Sequence, residues 1–408
     1  MSVVKQKPSP PHPQQTQDST TSSLNSKIEE LRQKFSKLKE YLNSKIVGHS
    51  EMIDAVLLGL LSGENGVLIG SPGTAKSMLA SVVTESIQGA RVFKYLLTKY
   101  TDYAELFGAI DVAELAKGNY TRRWSPIISS DIIFLDEIFK ANSAILNSLL
   151  SLLNEHVVYD PMTGQSISTT NKLVIGASNE VPEEDELRAL YDRFPIKVFV
   201  KYISPNDIEK ALYATWQSDN VTKPDITIND VVDAQEIVKK LFTTTIKTSN
   251  GNVVPIEYYK LIITNLVSEL RKEGIMLSDR TVISKLPKIV SAKILLEGND
   301  ALFMAPFDAV QLTASTPEEK QKVSEKILNS LGSANELSKK FNNAKYLIKV
   351  KRFDEAEAVL KEILQADLSK VPSFLVPVVK EIMRKAETLI QKIEEIKRKL
   401  EEETEEIE

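Results

Sequence analysis

The chain has 408 residues, 42% of them hydrophobic, which is enough to bury a sizeable core and predicts about two or three domains. Its 51 Lys and Arg against 56 Asp and Glu give a net charge of -5, so it lacks the overall basic field that drives nucleic-acid binding. The absence of cysteine excludes disulfides, thiolate nucleophiles and cysteine metal sites, and the three scattered histidines do not indicate a zinc motif.

The N-terminal residues 1–23 are rich in Pro, Gln, Ser and Thr and carry few large apolar side chains, which predicts a disordered tail. No secretory signal pattern is present there, and no apolar run reaches the roughly 18 residues needed to span a bilayer. We therefore expect a cytoplasmic protein without a membrane span. From Leu24 to Leu42 apolar residues recur at helical spacing, which predicts an amphipathic helix packed on the core.

The stretch GVLIGSPGTAKSMLA, residues 66–80, has the order that a phosphate-binding loop needs. Its first four residues predict a buried strand, a tight turn follows, and Lys76 opens an apolar-periodic helix. Gly70 and Gly73 would let the backbone wrap close to phosphates, which would face the helix N-terminus. Lys76 would add a cation, and Ser77 can ligate magnesium.

One position of this stretch departs from the general pattern G-x-x-x-x-G-K-[ST], because Ala75 stands where the second glycine is usual. For the motif alone, the alternative is an ordinary strand-turn-helix connection with a chance lysine. Other parts of the chain must therefore decide between the two.

Two further predicted strands end in polar side chains. Residues 132–137 predict a buried strand closed by Asp136 and Glu137, of which the first can complete a magnesium shell and the second can orient and polarise the attacking water. Residues 172–177 predict another buried strand, and Asn179 follows it at the edge where open α/β sheets bind ligands. The alternatives are solvated acids at a strand end and a turn residue that caps a strand.

The remaining pattern of this half of the chain predicts an α/β fold. Strands are predicted at 91–97 and 196–200, and an apolar-periodic helix at 144–154 leads into a β-hairpin around residues 160–164. With the three strands above, this gives five core strands that alternate with helices, as in a parallel sheet.

Taken together, GSPGTAKS, FLDEIFKANSAILNSLL, ASNE and ALYDRF resemble motifs of the AAA+ ATPases, specifically of the MoxR family in the helix-2-insert clade, and most nearly its RavA-type branch. The resemblance extends from Ile46 to about Arg280, and Ala75 supports it because that family's loop carries alanine before the lysine. It implies an AAA+ core with a five-stranded parallel sheet, then a helical lid and a helical C-terminal region. The expected divisions are residues 24–203, 204–302 and 303–408.

The resemblance also implies roles for individual residues in ATP and Mg²⁺ binding. Lys76 and Ser77 would bind phosphates and Mg²⁺, and Asp136 would complete the magnesium shell. Glu137 would activate water, and Asn179 would be the sensor that links hydrolysis to movement. The nucleotide-binding positions are Ile46 and Val47 beside the adenine, and Gly70, Ser71, Pro72, Gly73, Thr74, Ala75, Lys76, Ser77 and Met78 in the loop.

Two arginines complete the site that the resemblance implies. Arg193 would be the finger that enters a neighbouring subunit's site in a ring, expected to be hexameric, and Arg188 is a rival for that role. Arg280 would lie near the γ-phosphate of its own subunit. The neighbouring Ser278 or Asp279 can also simply cap the helix that follows.

The region from Thr98 to Trp124 is polar and matches the position of the helix-2 insert in MoxR-like proteins, and the hairpin at 160–164 matches their later insert. Such inserts face the pore of the ring. Four residues are then candidates for gripping a partner, although packing within the hairpin is an equal alternative. They are Tyr120, Arg122, Arg123 and Trp124.

After residue 303 the pattern predicts only helices, with one helical hairpin at 334–366. The last segment carries a heptad seam that could pair within the chain, between subunits or with a partner. The seam consists of Val379, Ile382, Ala386, Leu389, Ile393, Ile396 and Leu400.

The leading hypothesis is a chaperone-like ring ATPase that remodels or matures a partner protein. Members of such families often act with a von Willebrand factor A-domain protein. Because this chain has no D-x-S-x-S motif of its own, that partner would be a separate protein. The alternatives are a nucleic-acid-dependent motor of a related helix-2-insert type, which the acidic balance disfavours, and a nucleotide-gated scaffold without turnover.

Overall fold

The computed structural model describes residues 13–216, 221–248, 251–371 and 375–405. The strands are β1 Gly66–Ile69, β2 Val92–Leu96, β3 Ile132–Asp136, β4 Val157–Tyr159, β5 Ser166–Ser168, β6 Leu173–Ser178, β7 Ile196–Phe199, β8 Ile246–Thr248 and β9 Gly251–Val253. The helices are α1 Pro13–Lys45, α2 Ser50–Ser62, α3 Lys76–Ser86, α4 Tyr103–Phe107, α5 Val112–Leu115, α6 Ser143–Glu155, α7 Asp185–Tyr191, α8 Pro205–Trp216, α9 Ile228–Leu241, α10 Pro255–Lys272, α11 Leu286–Glu297, α12 Ala305–Gln311, α13 Pro317–Leu331, α14 Ser333–Lys349, α15 Phe353–Leu364 and α16 Val376–Glu405.

A five-stranded sheet with the order β2-β3-β6-β1-β7 forms the centre of the fold. All its pairings are parallel, which confirms the predicted α/β core. The register pairs Ile69 with Ser178 and Leu96 with Asp136, so the strands end together at one edge of the sheet. We call this the carboxyl edge, and the opposite edge, where Asn65 leads into β1, the amino edge.

The central strands are buried on both faces, as their continuous apolar sequences require. Because side chains alternate along a strand, successive residues enter two different cores. Leu68 and Ile175 pack with α1, α2 and α3, whereas Val67 and Val174 pack with α6 and α7. The sheet is therefore fixed between two helical layers, and its carboxyl edge is a rigid base for side chains.

The helices from α9 onwards share the first of these cores with the sheet. They are also tied to the amino edge by polar contacts. Gln235 of α9 donates to the carbonyl of Leu60 (2.8 Å), and the buried Glu64 pairs with Lys285 (2.6 Å) and Lys288 (2.8 Å). The division of the chain at residues 203 and 302 stays a prediction.

A two-stranded hairpin, β8–β9, lies within the region that the sequence pattern predicts to be helical. The dipeptide Asn250-Gly251, which leads into β9, is a typical hairpin turn signal that this prediction overlooked. Asn250 itself lies outside the described residues.

Both ends of the chain refine the predictions. Helix α1 begins at Pro13, earlier than the predicted Leu24, because proline suits the first turn of a helix and polar residues can extend a helix already anchored by its apolar face. The sequence predicts a disordered tail over residues 1–23, but residues 13–23 belong to α1, and residues 1–12 lie outside the described residues.

At the other end, α16 packs on α14 and α15 through buried seam residues such as Val379, Ala386 and Ile393. The heptad seam is therefore paired within the chain at least as far as Ile393, while the side chain of Leu400 lies outside the description. Among the helices described, none combines the length and the apolar character needed to cross a membrane.

Candidate functional site

The loop at residues 70–77 leaves β1 at the carboxyl edge. A Cβ on Gly70 would lie 2.2 Å from the carbonyl oxygen of Val200, so glycine is needed here for close packing against the end of β7. Gly73 has a φ of 80° and open space around it, which leaves its backbone accessible. Gly73 therefore fits the predicted role of exposing the backbone to a ligand, whereas Gly70 has a packing role as well.

Ala75 adopts a left-handed conformation with φ 61° and ψ 14°. For a residue with a Cβ this costs about 1–2 kcal/mol, which explains why glycine is usual at this position. The chain therefore departs from the general motif in residue type and keeps its backbone geometry. Within the same loop Thr74 donates to the carbonyl of Ser71 (2.7 Å), and Met78 is exposed on the first turn of α3.

The ammonium group of Lys76 is turned back onto this loop. It donates to the carbonyl oxygens of Gly70 and Ser71 (3.1 Å for the latter) and to Oδ1 of Asn179 (3.3 Å). Burial lowers the pKa of Lys76 from its ordinary value, and nearby carboxylates partly oppose that shift. Phosphate oxygens could replace the carbonyls as acceptors and would stabilise the charged lysine.

The two predicted magnesium ligands lie side by side. Oγ of Ser77 donates to Oδ2 of Asp136 (3.0 Å), and Oδ1 of Asp136 accepts from the backbone N–H of Glu137 (3.0 Å). A hydroxyl and one carboxylate are hard oxygen ligands, and Mg²⁺ is commonly held by one or two such groups together with water and phosphate oxygens. The donor set therefore fits Mg²⁺ bound with a nucleotide.

Glu137 and Asn179 are in direct contact. Nδ2 of Asn179 donates to Oε1 of Glu137 (2.6 Å), so one carboxamide joins Lys76 to the candidate base. Nζ of Lys140 approaches the same oxygen at 3.1 Å. Sequence reasoning did not single out Lys140, although its place three residues after Glu137, one 3₁₀ turn away, is a signal that could have found it.

The predicted adenine-side residues lie at the end of α1, beside the chain segment that follows β7. Ile46 is buried and Val47 is half-buried. A Cβ on the next residue, Gly48, would lie 2.8 Å from the side chain of Ile203. The hydroxyl of Tyr202 donates to the carbonyl of Pro72 in the loop (3.2 Å), so an exposed aromatic ring lies at this side of the loop. The sequence pattern did not indicate this residue.

The two candidate finger arginines lie away from this loop. Arg193 precedes β7 and is therefore at the amino edge of the sheet. Its Nε is buried and has no hydrogen-bond partner among the described residues. Arg188 is exposed in α7. Neither is brought to the chain's own phosphate loop.

The prediction for Arg280 is wrong in one respect. Its guanidinium donates to Oδ1 of Asn154 (2.9 Å) in the last turn of α6, next to the Leu153 carbonyl that accepts from Asn65 (3.2 Å). Arg280 therefore lies at the amino edge and not beside the γ-phosphate position of its own chain. The cause is the docking of α11, whose beginning is held at this edge by the buried Glu64.

Two of the candidate partner-gripping residues are used internally. Arg122 has only 5% of its side chain exposed and donates to Asp160 (2.7 Å), which also accepts from the hydroxyl of Tyr120 (3.0 Å). The Arg122 guanidinium also lies 5.8 Å from the ring of Trp124. These contacts favour the internal-packing alternative and join the insertion to the β4–β5 hairpin. Arg123 is exposed and is paired with an aspartate of the insertion.

The chain is similar to a known protein family and to proteins of other organisms. A family model described as the MoxR domain in the MoxR-vWA-beta-propeller ternary systems matches residues 31–240, just over half of the chain. An uncharacterized protein of Methanocaldococcus jannaschii is 35% identical over 71% of this chain and 74% of its own length.

More distant similarities point in the same direction. The chaperone MoxR1 of Mycobacterium tuberculosis is 22% identical over 48% of this chain and 52% of that protein. The crystal structure of a putative ATPase from Cytophaga hutchinsonii superposes with a TM-score of 0.59 at 19% identity, covering 76% of this chain and 97% of the other, and so shows a shared fold.

Proposed function

This chain belongs to the MoxR family of AAA+ ATPases, and we propose that it hydrolyses ATP with Mg²⁺ to remodel or mature a partner protein. The observation that carries this proposal is the line of contacts from Lys76 through Asn179 to Glu137, beside the Ser77–Asp136 pair. A cation, a magnesium-ligand pair and a carboxylate base thus meet at one edge of one sheet. Phosphoryl transfer from a nucleotide to water needs these three functions.

In this mechanism each residue has a positioning or electrostatic role. Lys76 and the N-terminus of α3 would bind the β- and γ-phosphates, while Ser77 and Asp136 would hold Mg²⁺, which neutralises phosphate charge when bound. Glu137 would orient the attacking water and take up its proton, and Asn179 would sense whether Lys76 is engaged by phosphate. Ile46 and Val47 would border the adenine.

The assembly is also part of the proposal. Arg193 would reach a neighbouring subunit's nucleotide in a ring, which we expect to be a hexamer, because the arginine lies at the edge opposite its own loop. If Arg280 contacts a nucleotide, its position likewise requires the nucleotide to belong to another subunit. The finer assignment to the RavA-type branch of the helix-2-insert clade is proposed on the sequence motifs alone.

The partner proposal has two supports. The matched family model describes MoxR domains that occur in systems with vWA and β-propeller proteins, and one relative is called a chaperone. We therefore propose a protein client and a separate vWA-domain partner for this chain, acting in the cytoplasm.

The catalytic assignment is tested by Glu137→Gln. We expect phosphate release from ATP to fall by about 10²- to 10⁴-fold, because a general base contributes roughly that factor, while ATP binding is retained. Glu180→Gln is the matched control, since this exposed acid is adjacent to Asn179 and its carboxylate has no role in the proposed mechanism. Steady-state hydrolysis and equilibrium binding of ATP, both with Mg²⁺, provide the two readouts.

An unchanged hydrolysis rate in Glu137→Gln would contradict the catalytic assignment. If a polynucleotide raised the rate of ATP hydrolysis and this increase became smaller with salt, the nucleic-acid motor would be favoured instead. The same variant should hold ATP without turnover, so affinity capture with it, compared with Lys76→Ala, tests whether a client is retained in the ATP state.

A further inference from the structure

The short 3₁₀ segment Ile138–Lys140 directly after β3 brings a second cation to the candidate site. Nζ of Lys140 lies 3.1 Å from Oε1 of Glu137. The Lys140 side chain is 62% exposed, whereas that of Glu137 is only 18% exposed. The lysine therefore reaches in from the surface to a carboxylate that is largely enclosed.

Glu137 is a residue whose orientation needs support. Its φ of 52° and ψ of 43° are left-handed, a conformation that costs a residue with a side chain about 1–2 kcal/mol. Such conformations persist where surrounding contacts hold them, and they cluster at functional sites. Contacts to the Glu137 carboxylate therefore bear directly on where its oxygens point.

Two groups reach this carboxylate within the described part of the chain, one by a hydrogen bond and one by an ion pair, and both contact Oε1. They are Nδ2 of Asn179 at 2.6 Å and Nζ of Lys140 at 3.1 Å. Because both groups contact Oε1, Oε2 is the oxygen that stays available for an attacking water. The two contacts therefore distinguish the two oxygens of the Glu137 carboxylate.

Asn179 and Lys140 differ in what else they contact. Asn179 also accepts from Lys76, so its contact with Glu137 is coupled to the phosphate-binding lysine and is expected to change when a nucleotide engages Lys76. Among the described residues, Lys140 makes an ion pair with no side chain other than Glu137. It can therefore hold Glu137 while Asn179 rearranges.

We propose that Lys140 is a positioning residue that keeps the Glu137 carboxylate aimed at the attacking water during turnover. This inference rests on the proposed ATP hydrolysis. It predicts an effect on kcat rather than on stability, because an exposed ion pair with a spacing of three residues adds little to the stability of the fold.

Lys140→Ala tests this role. We expect kcat for ATP to fall roughly tenfold with KM changed less than twofold, because the misaligned base slows the chemical step and leaves nucleotide binding intact. Lys140→Arg keeps a cation that can reach Oε1 and should recover most of the rate. Thermal unfolding should be the same for all three proteins.

Lys117→Ala is the matched control. Lys117 is 65% exposed and pairs with Glu114 at 2.7 Å, with the same spacing of three residues. It lies in the insertion and has no part in the proposed mechanism. It should leave kcat unchanged. In addition, Lys140→Ala should cause no further loss when Glu137 is already Gln, because both changes act on the same group.

The possible outcomes separate the two proposals. The role is supported if Lys140→Ala loses rate and Lys117→Ala does not. Lys140→Arg must also recover the rate, and Lys140→Ala must cause no loss in the Glu137→Gln background. An unchanged kcat, a rise in KM alone, or failure of arginine to recover activity overturns it while leaving ATP hydrolysis in place. If the unaltered protein releases no phosphate from ATP, the proposed function fails and the role of Lys140 fails with it.

Discussion

The two edges of the central sheet carry polar groups in different ways. At the carboxyl edge, Asn179 contacts both Lys76 (3.3 Å) and Glu137 (2.6 Å), and Asp136 contacts Ser77 and the backbone N–H of Glu137 (3.0 Å each). At the amino edge, Glu64 is fully enclosed and paired with two lysines of the helical region. One edge therefore carries the candidate ligand site, and the other holds two parts of the chain together.

The positions of the arginines follow from this difference. Arg193 and Arg280 are at the amino edge, on the side that docks the helical region, and the length of the strands separates them from the loop at residues 70–77. A subunit of this fold thus carries its phosphate loop at one edge and its arginines at the other. Head-to-tail contact between copies is the arrangement that brings unlike edges together and can close a ring.

The largest effect is expected from Arg193→Ala, which tests whether the two edges of different subunits meet. Loss of an arginine finger costs about 10³- to 10⁵-fold in kcat. We expect a loss in this range for Arg193→Ala and a loss below tenfold for Arg188→Ala, its rival on α7. Phosphate release at saturating ATP measures both.

Mixing two inactive variants sharpens this test. Arg193→Ala subunits keep an intact loop, and Lys76→Ala subunits keep an intact arginine, so a mixed assembly should regain part of the activity if the arginine acts on a neighbour. Full activity of Arg193→Ala alone, or no recovery in the mixture despite co-assembly, would show that the edges do not meet in this way.

The next effect concerns stability at the amino edge. Glu64→Ala removes two charged contacts of an enclosed carboxylate but leaves lysines that are 21% and 37% exposed, so we expect a loss of about 1.5–3 kcal/mol in the free energy of unfolding. Urea denaturation should show this as a lower midpoint. Asp279→Ala, which removes an exposed pair with Arg271, should cost less than 1 kcal/mol. Equal losses in the two variants would mean that the amino edge does not anchor the helical region.

The comparison also shows what the sequence could predict. The strands and the contacts at the carboxyl edge depend on local patterns, namely apolar runs that end in polar residues, and parallel strands bring such ends together whatever the rest of the fold does. The position of Arg280 depends instead on how α11 docks against Glu64, more than 200 residues earlier in the chain, and no local pattern encodes that docking. Lys140 lies between these cases, because its spacing from Glu137 was visible but its direction was not.

The smallest effect is expected in β7, between the two edges. Lys197 is almost fully buried, lies 4.8 Å from the ring centre of Tyr191 and donates to the carbonyl of Thr313 (3.4 Å) in the segment that covers this outer strand. Burial lowers its pKa to about 8. At pH 7 the folded protein therefore holds a charged lysine in an unfavourable environment.

Lys197→Met should raise the free energy of unfolding at pH 7 by about 1–3 kcal/mol, since it removes the buried charge and keeps the apolar chain. The gain should shrink as the pH rises from about 8 towards 10.5, because in that range the unfolded wild-type chain binds a proton that the folded one has released, which stabilises the wild-type fold. Lys201→Met, at an exposed lysine shortly after β7, should change stability by less than about 0.5 kcal/mol at either pH. A loss of stability in Lys197→Met at pH 7 would mean that the contacts with Thr313 and Tyr191 outweigh the burial of charge, and that the lysine secures the covering segment on β7.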